Sequence, residues 1–316
     1  MKTRAIIGIV FTVAVVVGLL KAAPPNEVIP HLRATKPLYL VLACMVNFLS
    51  IALKAKRWQI LIAYAERIPF REAFRLLTVG IAVNSVVPLR VGEALRSYSL
   101  ASEWGISKRE SVSTVLVDRS FDAITFGLLL LIATRLFELP HAMSTKTYGF
   151  AFSSIALIVS FPLVAWLGRS VRDQPRERFS SELQHKIAMK LEPLSRGYSS
   201  LTSRTSIASI CLSIAAWTLQ IAVALFAARS VGISLPFGGI IMAVFAVNLV
   251  GVFPLTPANI GVFQFAFLFT LSAYGVDRMS SVAVAAVYQA ALVIPVTVLG
   301  LILLNQRKRD LARQPS

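Results

Sequence analysis

Apolar runs long enough to cross a bilayer alternate along this chain with short, basic polar segments. A crossing needs about 17–25 residues at ~1.5 Å rise each. Six such runs are read at 5–20, 37–53, 111–134, 148–167, 206–228 and 281–304. The first is followed by Ala22 and Ala23, as a cleavable leader would be, but Lys21, Pro24 and Pro25 argue against cleavage, so it is kept as a helix. Two further apolar stretches, 73–98 and 237–274, are interrupted midway by proline and glycine. In membrane proteins such interruptions point to discontinuous helices at a substrate site, because irregular backbone is tolerated at that depth only where protein buries it or it lines a cavity. Each broken stretch is therefore predicted to be a re-entrant helical hairpin. The expected fold is an all-α polytopic membrane protein with about six transmembrane helices plus two re-entrant hairpins.

Charge placement tests this topology. With the N-terminus inside, the inner segments 1–4, 54–75, 97–110, 169–205 and 305–316 hold 22 Lys and Arg. The outer segments 22–36, 135–147, 230–236 and 275–280 hold 5. This is the positive-inside bias, and counting either broken stretch as a full crossing would destroy it. The reading is a multi-pass protein of the bacterial cytoplasmic (inner) membrane with both termini cytoplasmic.

The same order recurs in both halves: two crossings, a broken stretch, a third crossing. Asn84 matches Asn248, Pro88 matches Pro254, Gly92 matches Gly261, and Gly105-Ile106 matches Gly275-Val276, at offsets that run from 164 to 170 and stay at about 170 through the final helix. An odd number of spans separates the copies, so the repeat is inverted. Residues 1–316 are read as one integral membrane domain, with repeats at approximately 5–134 and 148–304. The competing reading is that apolar segments resemble one another by composition alone.

Composition agrees: 56% hydrophobic and 15% charged, against about 25% charged in a soluble domain. The net charge of +17 would suit a nucleic-acid partner, but the basic residues sit in loops between apolar runs and no nucleic-acid motif is present. Cys44 and Cys211 lie within apolar runs, and His31, His141 and His185 are isolated, so neither a metal site nor a cofactor is expected.

Charges concentrate around the first break. Arg90, Glu93 and Arg96 lie on or just after it, and Asp118, Arg119 and Asp122 lie inside the third crossing. Asp118 would sit ~10 Å and Asp122 ~16 Å along that helix from Ser111. Ser111, Thr114, Asp118, Asp122 and Thr125 form one polar stripe at spacings of three and four. An ionisable group at such depth costs at least about 2.5–3.5 kcal/mol and faces a partner or a wet cavity. Two structural alternatives stand beside a binding role: an i,i+3 ion pair for Arg119 and Asp122, and interface anchors for Arg90 and Arg96.

The segment PLRVGEALR at 88–96 resembles the signature of the flippase-like transmembrane domain family of lysylphosphatidylglycerol synthases. Arg57-Trp58 and the turn PLTPANIG at 254–261 are similar to further features of that family. The resemblance covers nearly the whole chain and implies a domain that moves amphiphilic lipids between leaflets. Relatives accompany glycolipid, polyprenyl-linked glycan and hopanoid pathways. The chain departs from the family in having Ala258-Asn259 and Gln264 where glycine and a Glu are usual, and Tyr288-Gln289 where an Arg is usual. By the repeat offset, Gln264 and Gln289 correspond to Glu93 and Arg119, which are therefore expected to pair across the first hairpin and third crossing.

Ending at Ser316 with a short basic tail, the chain is expected to carry no aminoacyl-transferase domain. The loop 169–205 places Phe179, Leu183, Ile187, Leu191 and Leu194 on one helical face, with Arg176, Arg178, Lys186 and Lys190 mainly elsewhere. It reads as an amphipathic cytoplasmic helix on an anionic leaflet. The leading functional reading is a transporter or flippase for a lipid with a polar or anionic headgroup (phospholipid, glycolipid, polyprenyl-linked glycan or hopanoid), not an enzyme. Arg90 and Arg96 would hold the headgroup, Glu93, Asp118 and Asp122 would balance those charges when the site is empty or carry protons, Arg119 would pair with Glu93, and Asn84, Asn248, Thr256, Asn259, Gln264 and Gln289 would line the polar path. Its partners are membrane lipids and the enzymes of lipid or glycan synthesis. The alternatives are a membrane enzyme acting on a lipid-linked sugar or phosphate through Asp118 and Asp122, and a non-catalytic accessory subunit of a lipid biosynthetic complex.

Overall fold

Proline and glycine set the punctuation of the chain. In the computed structural model, which describes residues 23–87, 91–137, 201–251 and 257–313 with Gly18, Lys21 and Gly197, the described residues form helices and turns without a strand. A short helix that the hydropathy pattern did not foretell, α1 (Pro25–Arg33), starts on a proline at its first position. It is followed by α2 (Pro37–Ile62), α3 (Phe70–Val86), α4 (Val91–Trp104) and α5 (Lys108–Leu136). The later half holds α6 (Ser203–Ser230), α7 (Phe237–Val250), a 3-10 turn at Pro257–Asn259, α8 (Val262–Ala273) and α9 (Arg278–Arg313). Capping boxes open α5 and α6, at Ser107 with Glu110 and at Thr202 with Thr205. Gly105 and Gly275 follow α4 and α8 at φ 66° and 77°, left-handed values that glycine adopts without a Cβ clash.

The runs at 37–53, 111–134, 206–228 and 281–304 are all helical, each longer than its apolar pattern. The difference that matters for the site is on α2, which continues nine residues beyond 53 and so carries Lys54, Lys56 and Arg57. Charges placed with an inner loop stand on a helix because carboxylates of α5 meet one of them. Without these three, the inner and outer segments hold 19 and 5 basic residues. The runs at 5–20 (Gly18 apart) and 148–167 lie outside the described residues, as do the loop 169–205 up to residue 200 (Gly197 apart), His141, His185, Pro88, Arg90, Pro254 and Thr256.

Both broken stretches fold as a helix, a break and a second helix. The four arms, α3, α4, α7 and α8, have 17, 14, 14 and 12 residues. They rise about 18–26 Å, short of a ~30 Å hydrocarbon core. Across the first break the Gly92 N–H donates to Asn84 Oδ1 at 2.7 Å. Gly92 itself lies against α3 so closely that a Cβ would fall 1.9 Å from the Gly80 carbonyl oxygen, which admits no other residue. In the second, Ala258 and Asn259 hold left-handed φ values of 49° and 55°.

α2 and α6 make the most extensive helix contact. Their facing positions are small or polar: Ala43, Asn47, Ser50 and Ala55 on one, Ser209, Ser213, Ala216 and Ala224 on the other, all buried. Without a hydrophobic force between helices in lipid, close approach through small residues is what favours association. The opposite stripe of α2, Leu38, Val41, Met45 and Leu49, is more than half exposed, which suits hydrocarbon solvent. α2, α6 and α9 as far as Arg307 are each long and apolar enough to span. The protein is an all-α membrane protein. Packing recurs between the halves: α3 on α4 and α7 on α8, α4 on α5 and α8 on α9, α2 on α5 and α6 on α9. α3 also packs against the 257–259 turn, which brings the two broken stretches together.

Candidate functional site

The site begins with one buried arginine. Arg57, 1% exposed near the end of α2, donates from Nε to Asp118 Oδ1 at 2.9 Å. Its Nη1 donates to Asp122 Oδ1 at 2.7 Å and to Ser213 Oγ at 2.6 Å. A single guanidinium fork thereby joins α2, α5 and α6. Asp118, also buried, accepts at Oδ2 from Arg96 Nη2 of α4 at 2.8 Å. The Arg96 guanidinium lies 3.7 Å from the centroid of the Trp58 ring, a cation–π contact that covers its remaining charge. Trp58 is held by its Nε1–H donating to Thr114 Oγ1 at 3.2 Å.

Arg119 completes the cluster from the other side. Its Nε lies 3.2 Å from Glu93 Oε1, and its Nη1 donates to Asp122 Oδ2 at 3.4 Å. Both oxygens of Asp118, and both of Asp122, thus meet guanidinium groups. Such pairing offsets the desolvation of charge, and removing one member of a buried pair costs about 3–5 kcal/mol.

A cavity of about 220 Å³ opens beside this cluster. Lys54, Arg57, Asp118, Arg119 and Asp122 line it with Asn47, Ser85 and Gln220, and apolar side chains of α2, α3 and α9 form the rest of its wall. The amides are already engaged: Asn47 Nδ2 donates to the Ala291 and Leu292 carbonyls at 3.2 Å, and Gln220 bridges Ser50 and Tyr288 at 3.4 Å each. A smaller recess of about 10 Å³ touches Asn84, Gly92, Glu93, Arg96 and Arg119, room for about one water.

Glu93, Arg96, Asp118, Arg119 and Asp122 therefore meet in one cluster, and Asn84 closes the adjoining break. Arg90 and Thr256 lie outside the described residues. Asn248 is elsewhere, its Nδ2 donating to its own helix at the Val244 carbonyl, 2.8 Å. Gln264 and Gln289 pair with each other: Gln264 Nε2 donates to Gln289 Oε1 at 2.7 Å. Gln264 Oε1 accepts from the Gly261 N–H at 2.8 Å, and Gln289 Nε2 donates to the Ala258 carbonyl at 2.7 Å. This amide clamp holds the turn that contains Ala258 and Asn259. Sequence reasoning missed Lys54 and the central place of Arg57. The signal was present, since Asn47, Ser50, Lys54 and Arg57 repeat at spacings of three, four and three, as the polar stripe of α5 does.

The chain is similar in sequence to several known proteins. A UPF0104 membrane protein of Methanothermobacter thermautotrophicus is 28% identical over 162 residues, 50% of this chain and 48% of the relative, so the chain spans about half that relative's length. A UPF0104 membrane protein of Methanocaldococcus jannaschii is 24% identical over 233 residues, covering 74% of this chain and 97% of its own. The glycosyltransferase AglD of Haloferax volcanii is 24% identical over 336 residues, which take in 95% of this chain and 53% of AglD. The model of the lysylphosphatidylglycerol synthase transmembrane region matches residues 5–300, and the chain belongs to that family.

Proposed function

We propose that the protein is a lipid transporter that moves a lipid with a polar or anionic headgroup between leaflets. Family membership and the AglD relative support a membrane lipid- or glycan-related role. The observation that carries the finer reading is the 220 Å³ cavity lined by ionised groups and walled by α2, α3, α5, α6 and α9. A space of that size admits a headgroup while acyl chains stay in the surrounding hydrocarbon. Its wall includes arms of neither intact crossing type alone, because α3 belongs to a broken stretch that meets the second broken stretch at the 257–259 turn. An inverted repeat with two re-entrant hairpins accounts for that meeting and for the recurring packing of the halves. Opposed hairpins can open the same cavity to either leaflet in turn. The charge bias supports an orientation with both termini on the cytoplasmic side.

Asp118 and Asp122 favour this reading over hydrolytic or transfer chemistry. Each is held by guanidinium groups on both oxygens, an arrangement that leaves neither carboxylate an oxygen free for acid–base work. A second reading, an accessory membrane module for an enzyme of lipid-linked glycans, draws on AglD, of which the match covers 53%. Reconstitution separates them. Proteoliposomes of the purified protein, carrying fluorescent lipids of several headgroup classes, should show faster loss of outer-leaflet label than protein-free vesicles for at least one class. If no class moves faster than in empty vesicles, the transporter reading fails.

A further inference from the structure

We propose that Lys54 is the anion-recognition residue of the cavity, holding the phosphate of a lipid headgroup and disfavouring cationic headgroups. The inference rests on the reading of the cavity as a lipid site, and it names the class of cargo. Among the described residues, the cluster and cavity hold four cations (Lys54, Arg57, Arg96, Arg119) and three carboxylates (Glu93, Asp118, Asp122). Each arginine has a carboxylate within 3.4 Å. Lys54 has none within ion-pair distance among the described residues, and its Nζ lies 5.5 Å from the centroid of the Trp217 ring. Yet Lys54 lines the cavity, three residues before Arg57 on the same face of α2.

An ammonium group inside a membrane protein is costly unless an anion or water meets it. Neither neighbouring amide is hydrogen-bonded to Lys54: Gln220 is engaged at both ends, with Ser50 and Tyr288, and Asn47 binds the α9 backbone through its Nδ2. Lys54 therefore presents three donors and a compact charge to the cavity, which suits a phosphate oxygen better than a neutral sugar hydroxyl. Arg119, 35% exposed, lines the same cavity from α5 and adds a further cation to its wall. A headgroup bearing an amine would meet Lys54, Arg57 and Arg119 against only two carboxylates among the described lining residues, Asp118 and Asp122, both already held by guanidinium groups, and like-charge contact is one means of rejecting a wrong ligand.

The test is equilibrium binding by native mass spectrometry, with the full chain in a neutral detergent. The probes are phosphatidylglycerol, diacylglycerol with the same tails, lysylphosphatidylglycerol and inorganic phosphate. Phosphatidylglycerol should bind at least about tenfold tighter than diacylglycerol, a difference of ~1.4 kcal/mol. Lys54→Gln and Lys54→Met should abolish that preference, Lys54→Arg should retain it, and Lys56→Gln, altering an exposed residue bonded to Gln59, should leave it intact. Because no carboxylate loses its partner in Lys54→Gln, the variant should stay folded and monodisperse. Equal affinity of wild type and Lys54→Gln for phosphatidylglycerol overturns the inference, and so does tighter binding of the lysyl lipid. Inorganic phosphate bound as tightly as phosphatidylglycerol would overturn the lipid assignment in favour of a free anion. Wild-type protein that binds through Lys54 but moves no lipid in vesicles leaves this inference standing and removes the transporter reading alone.

Discussion

Glu93 with Arg119 and Gln264 with Gln289 are two answers to one structural problem, how the second arm of a broken stretch is tied to the long helix after it. In the first half the tie is ionic, 3.2 Å between Arg119 Nε and Glu93 Oε1, with side chains 35% and 25% exposed. In the second it is a neutral amide hydrogen bond of 2.7 Å between side chains that are only 7% and 8% exposed. The difference follows from desolvation. A charged pair is tolerable where a cavity keeps it partly wet, and a neutral pair is cheaper where the protein closes over it. Charge therefore stays on the side of the protein that has the cavity.

The sharpest way to break this comparison is at Arg57, which has no counterpart in the amide clamp. Arg57→Leu leaves Asp118 and Asp122 buried with too little compensation and should cost about 3–5 kcal/mol. Thermal unfolding in detergent should show this as a large drop in midpoint or as loss of monodisperse protein. A midpoint within a degree of wild type would mean that the cluster is hydrated and not a buried network.

Charge can also be put where the molecule has none. Gln264→Glu places an unmatched carboxylate at a buried position and removes the donor to Gln289, which should cost about 3 kcal/mol. Adding Gln289→Arg should recover part of that loss, though less than all, because the Gln289 donation to the Ala258 carbonyl must be rebuilt from a longer side chain. An unfolding series of the two singles and the double measures the coupling directly.

The reverse experiment makes the first half neutral. Glu93→Gln and Arg119→Gln should each cost only about 1 kcal/mol, since the pair is partly exposed and exposed pairs are weak. The double variant, a copy of the second-half pair, should be more stable than the sum of the singles implies. Lipid movement should respond more than stability does, because Arg119 lines the cavity. Full transport activity in the double variant would reduce the pair to a structural tie.

These expectations show what was readable in the residues. The Glu93–Arg119 pairing was expected from the offset to Gln264 and Gln289, and the bond between those two glutamines shows that equivalent positions stay in contact even when their chemistry changes. The helices flanking both breaks followed from proline and glycine in apolar runs. Arg57 was legible only as half of a motif, because hydropathy ends α2 at residue 53, whereas the carboxylates of another helix let the charged helix continue to Ile62. That compensation is tertiary, and the local signal on α2 was only the three-four-three spacing of Asn47, Ser50, Lys54 and Arg57, which hydropathy passes over. Lys54 was hidden for the same reason. α1 escaped because its amphipathic nine residues are too short for a spanning pattern.

The smallest effect should come from the backbone of the second turn. Ala258 holds φ 49° and ψ 16°, a conformation that a Cβ disfavours by roughly 1–2 kcal/mol. Ala258→Gly removes that Cβ, while the hydrogen bond from Gln289 Nε2 to the residue 258 carbonyl involves backbone and is kept. Against this gain stands the greater freedom of glycine in the unfolded chain, about 0.4–1 kcal/mol. The net should be a stabilisation of at most about 1 kcal/mol, read as a slightly raised unfolding midpoint. The same substitution combined with Gln289→Ala should gain nothing, because glycine without the clamp leaves the turn free to leave its left-handed form. A loss of stability in Ala258→Gly alone would show that the Cβ contributes packing that outweighs its strain, and that the neutral clamp holds a relaxed turn.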